Sequence, residues 1–112
     1  MTQAPETAFE EPVLVTAGPV DPAAGDLARR MVDDLVEVSP RPVLFARVKL
    51  TVERGRDDDE QAIAQGTLDL SGTIVRAQTA APTVAEAIRA LRQRLERRMR
   101  RVRERWETKA QR

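Results

Sequence analysis

The spacing of hydrophobic residues divides the chain into four short segments of strand type and two of helical type. Residues 13–16 form a β-branched run between Pro12 and the Gly18-Pro19 pair, which predicts a strand. Residues 43–53 alternate, with an apolar face made of Leu44, Ala46, Val48, Leu50 and Val52. The opposite face is mostly polar and carries Phe45, Arg47, Lys49, Thr51 and Glu53. Two further half-polar strands, 64–70 and 73–79, flank a turn at Ser71-Gly72.

Both helical segments begin with a capping signal. Asp21 precedes Pro22, a pairing typical of the N-cap and first position of a helix, and Ser39-Pro40 predicts where that helix ends. Thr83 and Glu86 have the spacing of a capping box. The helix after Thr83 carries an apolar stripe about 80° wide, made of Val84, Ile88, Leu91, Leu95, Met99, Val102 and Trp106. Continued to about residue 107 it is roughly 37 Å long, so we expect its last turns to project beyond the core.

The order of the segments predicts an α+β domain with the arrangement β-α-β-β-β-α. We expect a four-stranded mixed sheet, because a helical crossover makes the first two strands parallel and short turns make the others antiparallel. Since each strand has one apolar face, both helices should pack on one side and leave the other side open and polar. We assign residues 12–107 to this domain, 1–11 to a disordered lead-in and 108–112 to a tail. Residues 54–61 read as a loop.

Composition excludes most kinds of catalysis. The 112 residues include no Cys and no His, which rules out thiolate and imidazole chemistry and the metal sites built from them. Ser39 and Ser71 have no base to activate them. We therefore expect a protein that is not an enzyme and needs no cofactor. The acidic run 57–60 either binds a divalent cation or forms a solvated loop; its lack of alternating ligand spacing favours the loop, and we expect no metal.

The sequence contains neither a membrane-spanning segment nor an export signal. No apolar run approaches the length of about 20 residues that spans a bilayer. Residues 1–11 are acidic and lack the cationic and apolar stretches of a signal peptide. We expect a cytoplasmic protein.

Charge is distributed unevenly along the chain. Residues 1–82 carry 8 basic and 14 acidic side chains, whereas residues 83–112 carry 11 basic and 4 acidic ones. Seventeen of the 19 basic residues are Arg, whose guanidinium matches phosphate oxygens; a GC-rich genome explains the ratio equally well but not the clustering. The asymmetry suggests either a nucleic-acid or membrane-surface partner for the basic end or a solvated helix.

The basic residues of the second helix fall on two flanks of its apolar stripe. One flank carries Arg94, Arg97, Arg98, Arg101 and Arg105 with no acid among them. On the other, Arg89, Arg92, Arg100 and Arg103 alternate with Glu96 and Glu107, and Arg92–Glu96, Glu96–Arg100 and Arg103–Glu107 have ion-pair spacing. We interpret the uncompensated flank as a polyanion-binding ridge. Arg47, Lys49 and Arg76 lie on the predicted open sheet face, as RNA contacts or as a solvated surface.

The chain resembles the ribosome hibernation-promoting factor and ribosome-associated inhibitor family, also called sigma-54 modulation proteins. The similarity lies in residues 46–52 (ARVKLTV), 72–77 (GTIVRA) and 85–88 (AEAI), followed by Leu91, Leu95 and a basic tail. It implies binding to rRNA of the small ribosomal subunit, in the channel for mRNA and the A- and P-site tRNAs. It also implies inhibition of translation in stress or stationary phase, with Arg76 and the helix arginines in contact with RNA. The chain departs from the family at Pro82-Thr83-Val84 and in its acidic first helix.

Longer family members carry a linker and a dimerisation domain that pairs two ribosomes. This chain stops before such a domain, so we expect a short form or a fragment that is a monomer off the ribosome and binds no small-molecule substrate. An alternative function is a protein-interaction module that pairs through the long helix. Arginine on both flanks of the stripe disfavours pairing with a second copy.

Overall fold

The computed structural model describes residues 11–55 and 59–110 and confirms the predicted fold class. The elements are β1 (Val13–Ala17), α1 (Pro22–Val38), β2 (Val43–Arg54), β3 (Glu60–Leu70), β4 (Thr73–Ala81) and α2 (Val84–Ala110). They form one four-stranded sheet in the order β1-β2-β3-β4. β1 is parallel to β2, and the other two neighbouring pairs are antiparallel. β1 and β4 are therefore the edge strands.

Local capping explains where the two helices begin. The Asp21 carboxylate accepts a hydrogen bond from the Ala23 N–H at 2.9 Å, and Pro22 is the first residue of α1. At the start of α2, the Glu86 N–H donates to Thr83 Oγ1 at 3.2 Å, and the Thr83 hydroxyl donates to Glu86 Oε1 at 2.9 Å. The bonds from the Ala23 and Glu86 N–H groups satisfy main-chain donors that have no partner within the helix, and the bond between the Thr83 and Glu86 side chains holds the second cap in place. The predicted caps are confirmed.

The core lies between the sheet and the two helices, which pack on one face as predicted. Its largest fully buried side chains are Leu35, Leu50, Leu68, Leu70, Leu91, Leu95, Val32 and Val48. Gly66 of β3 lets α2 approach the sheet, because a Cβ there would lie 3.0 Å from Leu95 Cδ1 and 3.2 Å from Leu91 Cδ2. The buried Thr79 hydroxyl donates to the Ala87 carbonyl at 2.7 Å and fixes α2 against β4.

The start of β2 differs from the sequence prediction. We expected Leu44 in the core, but Val43 is buried there and Leu44 is exposed. The register against β3 shifts between Val43 and Phe45, and this bulge turns both Leu44 and Phe45 outward. From Ala46 onward the predicted alternation holds.

Other element boundaries also differ from those predicted from the sequence. The loop predicted at 54–61 is shorter, since Arg54 closes β2 and Glu60 opens β3 across the hairpin. Residues 56–58 and the predicted lead-in, apart from Glu11, lie outside the described residues. α2 runs to Ala110, and its apolar stripe is buried through Val102 and partly at Trp106.

Candidate nucleic-acid interface

The two arginine-rich flanks of α2 face different neighbours. Arg94, Arg97, Arg98, Arg101 and Arg105 form the flank on the side of β4, called here the β4 flank. The Arg94 guanidinium donates from Nη1 to the Gln78 carbonyl of β4 at 2.7 Å. Arg89, Arg92, Arg100 and Arg103 form the flank on the side of α1, called here the α1 flank. The structure thus keeps the two groups apart, as the helical projection predicts.

Among the described residues, ion pairs between α2 arginines and carboxylates involve one flank only. Arg92 Nη1 lies 3.0 Å from Asp34 Oδ2 of α1, and Arg92 Nε lies 3.5 Å from Glu96 Oε1. Over residues 11–55 and 59–110, no arginine of the β4 flank takes part in an ion pair. The predicted pairs Glu96–Arg100 and Arg103–Glu107 do not form. The α1 flank is therefore compensated mainly through Arg92, and the β4 flank keeps its positive charge.

The sheet adds basic side chains that continue from the β4 flank. Arg47, Thr67 and Arg76 occupy one row across β2, β3 and β4 on the face opposite the helices. Two strand spacings separate the Arg47 and Arg76 backbones, about 9.6 Å. Lys49 lies in the next row, opposite Gln65, whose side-chain amide donates to Gln78 Oε1 at 2.9 Å.

Arg76 connects the open sheet face with the helix. It belongs to the edge strand and lines an open groove of about 1190 Å³ between β4 and the second half of α2. Arg98, Arg101, Arg105 and Lys109 line the same groove from the helix side, together with the single carboxylate Glu104. The basic residues of the sheet and of the β4 flank therefore form one continuous cationic surface around the β4 edge. Spaced guanidinium groups of this kind suit a polyanion with regularly spaced phosphates.

Trp106 packs against the rest of the domain. The Arg41 guanidinium carbon lies 3.8 Å from the centre of the Trp106 ring, and the ring is half-buried at the end of the apolar stripe. This agrees with its place at the end of the apolar stripe predicted from the sequence. Phe45 and Ile74 on the open sheet face are 42 % and 48 % exposed. The sequence analysis placed Phe45 on the polar face of β2 but assigned it no role. An aromatic residue at a polar position of an alternating strand was the signal that could have predicted an exposed apolar side chain on the open face.

Other candidate chemistry remains weak in the described part of the chain. Asp57 and Asp58 of the acidic run lie outside it, and the Glu60 carboxylate pairs with Arg54 at 2.9 Å. Among the residues described, no group of three or more acidic side chains is placed to hold a metal ion. No helix of the described residues is long and apolar enough to cross a membrane.

The fold is that of a small α+β domain, and its arginines are concentrated on α2 and beside the β4 edge. The sequence model of the family "Sigma 54 modulation protein / S30EA ribosomal protein" matches residues 19–107, so the chain belongs to this family. The family consists of ribosome-associated factors. No curated protein sequence is significantly similar to the chain.

Two solved structures share the fold at low sequence identity. One is the N-terminal domain of Protein Y from Thermus thermophilus, with a TM-score of 0.67 and 21 % identity; the match covers 83 % of this chain and 99 % of that one. The other is a ribosomal subunit interface protein from Coxiella burnetii, with a TM-score of 0.63 and 12 % identity, covering 81 % and 97 %. Both similarities support the β-α-β-β-β-α architecture.

Proposed function

We propose that the protein binds rRNA of the small ribosomal subunit and inhibits translation. The observation that carries this proposal is the continuous cationic surface from Arg47 through Arg76 to Arg98, Arg101 and Arg105. Membership of a ribosome-associated family supports the ribosome as the polyanion. The fold neighbour from Coxiella burnetii, which is described as a ribosomal subunit interface protein, gives further support.

The proposed RNA contacts are Arg94, Arg97, Arg98, Arg101 and Arg105 of α2 with Arg76, Arg47 and Lys49 of the sheet. The hydrogen bond from Arg94 to the Gln78 carbonyl uses one of its donors and leaves others for a phosphate. The domain would occupy the channel used by mRNA and by the A- and P-site tRNAs. An occupied channel blocks initiation, which suits a cytoplasmic factor that keeps ribosomes idle in stress or stationary phase.

The alternative function, pairing through the long helix, would need the apolar stripe of α2 to be exposed. Ile88, Leu91, Leu95, Met99 and Val102 are all buried against the domain core. Exposing them for a coiled coil would require α2 to leave the sheet. We therefore propose a monomer off the ribosome that acts by occupancy and without catalysis.

Co-sedimentation with isolated ribosomal subunits tests the proposal. We expect the protein to pellet with small subunits at low salt, to be released as salt increases, and to pellet poorly with large subunits. In cell-free translation, inhibition should follow the ratio of protein to ribosomes, because each bound copy blocks one ribosome. Inhibition at amounts far below the ribosome concentration, or equal binding to both subunits, would contradict the proposal.

The same gradients test the monomeric state. This chain mixed with ribosomes should give no peak of paired ribosomes, since one domain offers one ribosome-binding surface. Sedimentation equilibrium of the free protein should give the mass of a single copy, 12.5 kDa. A paired-ribosome peak with this chain alone would show that it bridges ribosomes.

A further inference from the structure

The edge strand β4 presents unpaired main-chain groups to the groove. The two-residue turn at Ser71-Gly72 makes Leu70 and Thr73 a hydrogen-bonded pair, so alternate residues of β4 bond to β3. The remaining residues of β4, among them Ile74 and Arg76, direct their N–H and C=O groups away from the sheet. The Gln78 carbonyl belongs to this outward set, and Arg94 of α2 is its donor at 2.7 Å.

Among the hydrogen bonds of the described residues, none reaches the outward N–H and C=O groups of Ile74 and Arg76 in the way that Arg94 reaches the Gln78 carbonyl. Both residues line the groove, with α2 as the opposite wall. An exposed strand edge beside a helix can accept an added strand. The main chain of the added strand forms hydrogen bonds with the edge strand, and alternate side chains of the added strand contact the helix.

The two walls determine which side chains an added strand would carry. Arg98, Arg101, Arg105 and Lys109 face the groove from α2, against the single carboxylate Glu104. On the sheet side, Ile74 is 48 % exposed. In a strand, alternate side chains point to opposite faces. A strand with acidic residues toward α2 and apolar residues beside Ile74 would complement both walls.

We propose that this groove binds an extended acidic peptide segment of a partner protein as a fifth strand along β4. RNA fits the charges, and its phosphates can accept hydrogen bonds from the Ile74 and Arg76 N–H groups, but the carbonyls of these residues would depend on scattered 2′-hydroxyl donors. A peptide strand supplies donors and acceptors in alternation. This binding site does not depend on the ribosome-binding proposal, and it is testable without ribosomes.

The probe is a fluorescein-labelled octapeptide of four Val-Glu repeats, with two N-methylated versions as matched controls. One version carries N-methyl groups on the Val residues and the other on the Glu residues, so charge and side chains are unchanged. In an added strand only one of these sets of N–H groups faces β4. We expect one methylated peptide to bind at least about tenfold more weakly than the parent, and the other to bind within about threefold.

Amide hydrogen exchange of the full chain locates the bound peptide. The Ile74 and Arg76 amides should become protected when the unmethylated peptide binds, whereas a ten-nucleotide uridine RNA, which lacks the alternating main-chain donors and acceptors of a strand, should protect them less. R98Q/R101Q should weaken peptide binding, and R100Q/R103Q on the α1 flank should not. Equal affinities of the two methylated peptides would reduce the interaction to charge and overturn the proposal. So would absence of peptide binding, or protection of the same two amides by the RNA that equals the protection by the peptide.

Discussion

The two flanks of α2 have similar numbers of arginines and very different surroundings. On the α1 flank, Arg92 is paired with Asp34 and Glu96. On the β4 flank, in the part of the chain that the structure describes, arginines meet a carbonyl, an open groove and solvent but pair with no carboxylate. The comparison shows that arginine content alone does not determine how many ion pairs a helix flank forms. The neighbouring element decides how much of the charge remains available to a ligand.

Stability alone does not explain the β4 flank. Exposed ion pairs contribute only about 0–1 kcal/mol, and like charges four residues apart on a helix are destabilising by a few tenths of a kcal/mol. A helix selected only for folding would gain from acids among Arg94, Arg98 and Arg101. The proposed polyanion-binding role accounts for their absence from this flank.

The largest expected effect comes from weakening the packing of α2 on the sheet, which holds the two flanks on different sides of the helix. Leu95 is fully buried and packs against Gly66. L95A should lower the free energy of unfolding by about 2–5 kcal/mol, because it removes buried methyl groups and leaves a cavity. Urea denaturation followed by circular dichroism measures this. The exposed Gln93 provides the control, since Q93A should change stability by less than about 0.5 kcal/mol.

A smaller effect separates two arginines of the β4 flank. R94Q removes the hydrogen bond to the Gln78 carbonyl and should destabilise the fold by about 0.5–1.5 kcal/mol. R97Q removes an exposed arginine that makes no such hydrogen bond among the described residues, and it should change stability by less than about 0.5 kcal/mol. The same urea titrations compare them. Equal effects would mean that the Arg94 contact does not hold α2 against β4.

The smallest expected effect comes from the α1 side. D34N removes the carboxylate that lies 3.0 Å from Arg92 and should cost less than about 1 kcal/mol, because both side chains are exposed. Freeing Arg92 should raise the affinity for RNA slightly at low salt, an effect that increasing salt suppresses. Fluorescence polarisation with a labelled rRNA fragment measures it. A decrease in affinity would show that Asp34 does not offset the charge of the α1 flank.

Local sequence signals predicted most of the fold. The caps at Asp21 and Thr83, the turn at Ser71-Gly72 and the alternation of residues 46–52 each depend on a few neighbouring residues. The exposure of Leu44 was missed because the bulge depends on the register against β3, which the β2 sequence does not contain.

For the candidate site, helical geometry predicted the β4 flank correctly but not its contacts. The pairing of Arg92 with Asp34 joins residues 58 positions apart, and the bond from Arg94 to Gln78 spans 16. Contacts over such distances depend on how the helices pack. The position of Arg76 in the groove between β4 and α2 could not be predicted for the same reason, because β4 becomes an edge strand beside α2 only in the assembled sheet.

The central claim, that the β4 flank binds phosphates and the α1 flank does not, is tested most directly by the salt dependence of binding for two triple variants. R97Q/R98Q/R101Q and R89Q/R100Q/R103Q have the same net charge, and Arg and Gln have nearly equal helix propensity, so both should fold. The measurement is the affinity for small ribosomal subunits as a function of salt concentration. We expect the first triple to reduce the slope of log affinity against log salt by about two to three units and the second by less than about one. Equal losses from both triples would mean that total charge alone governs binding and would contradict the account.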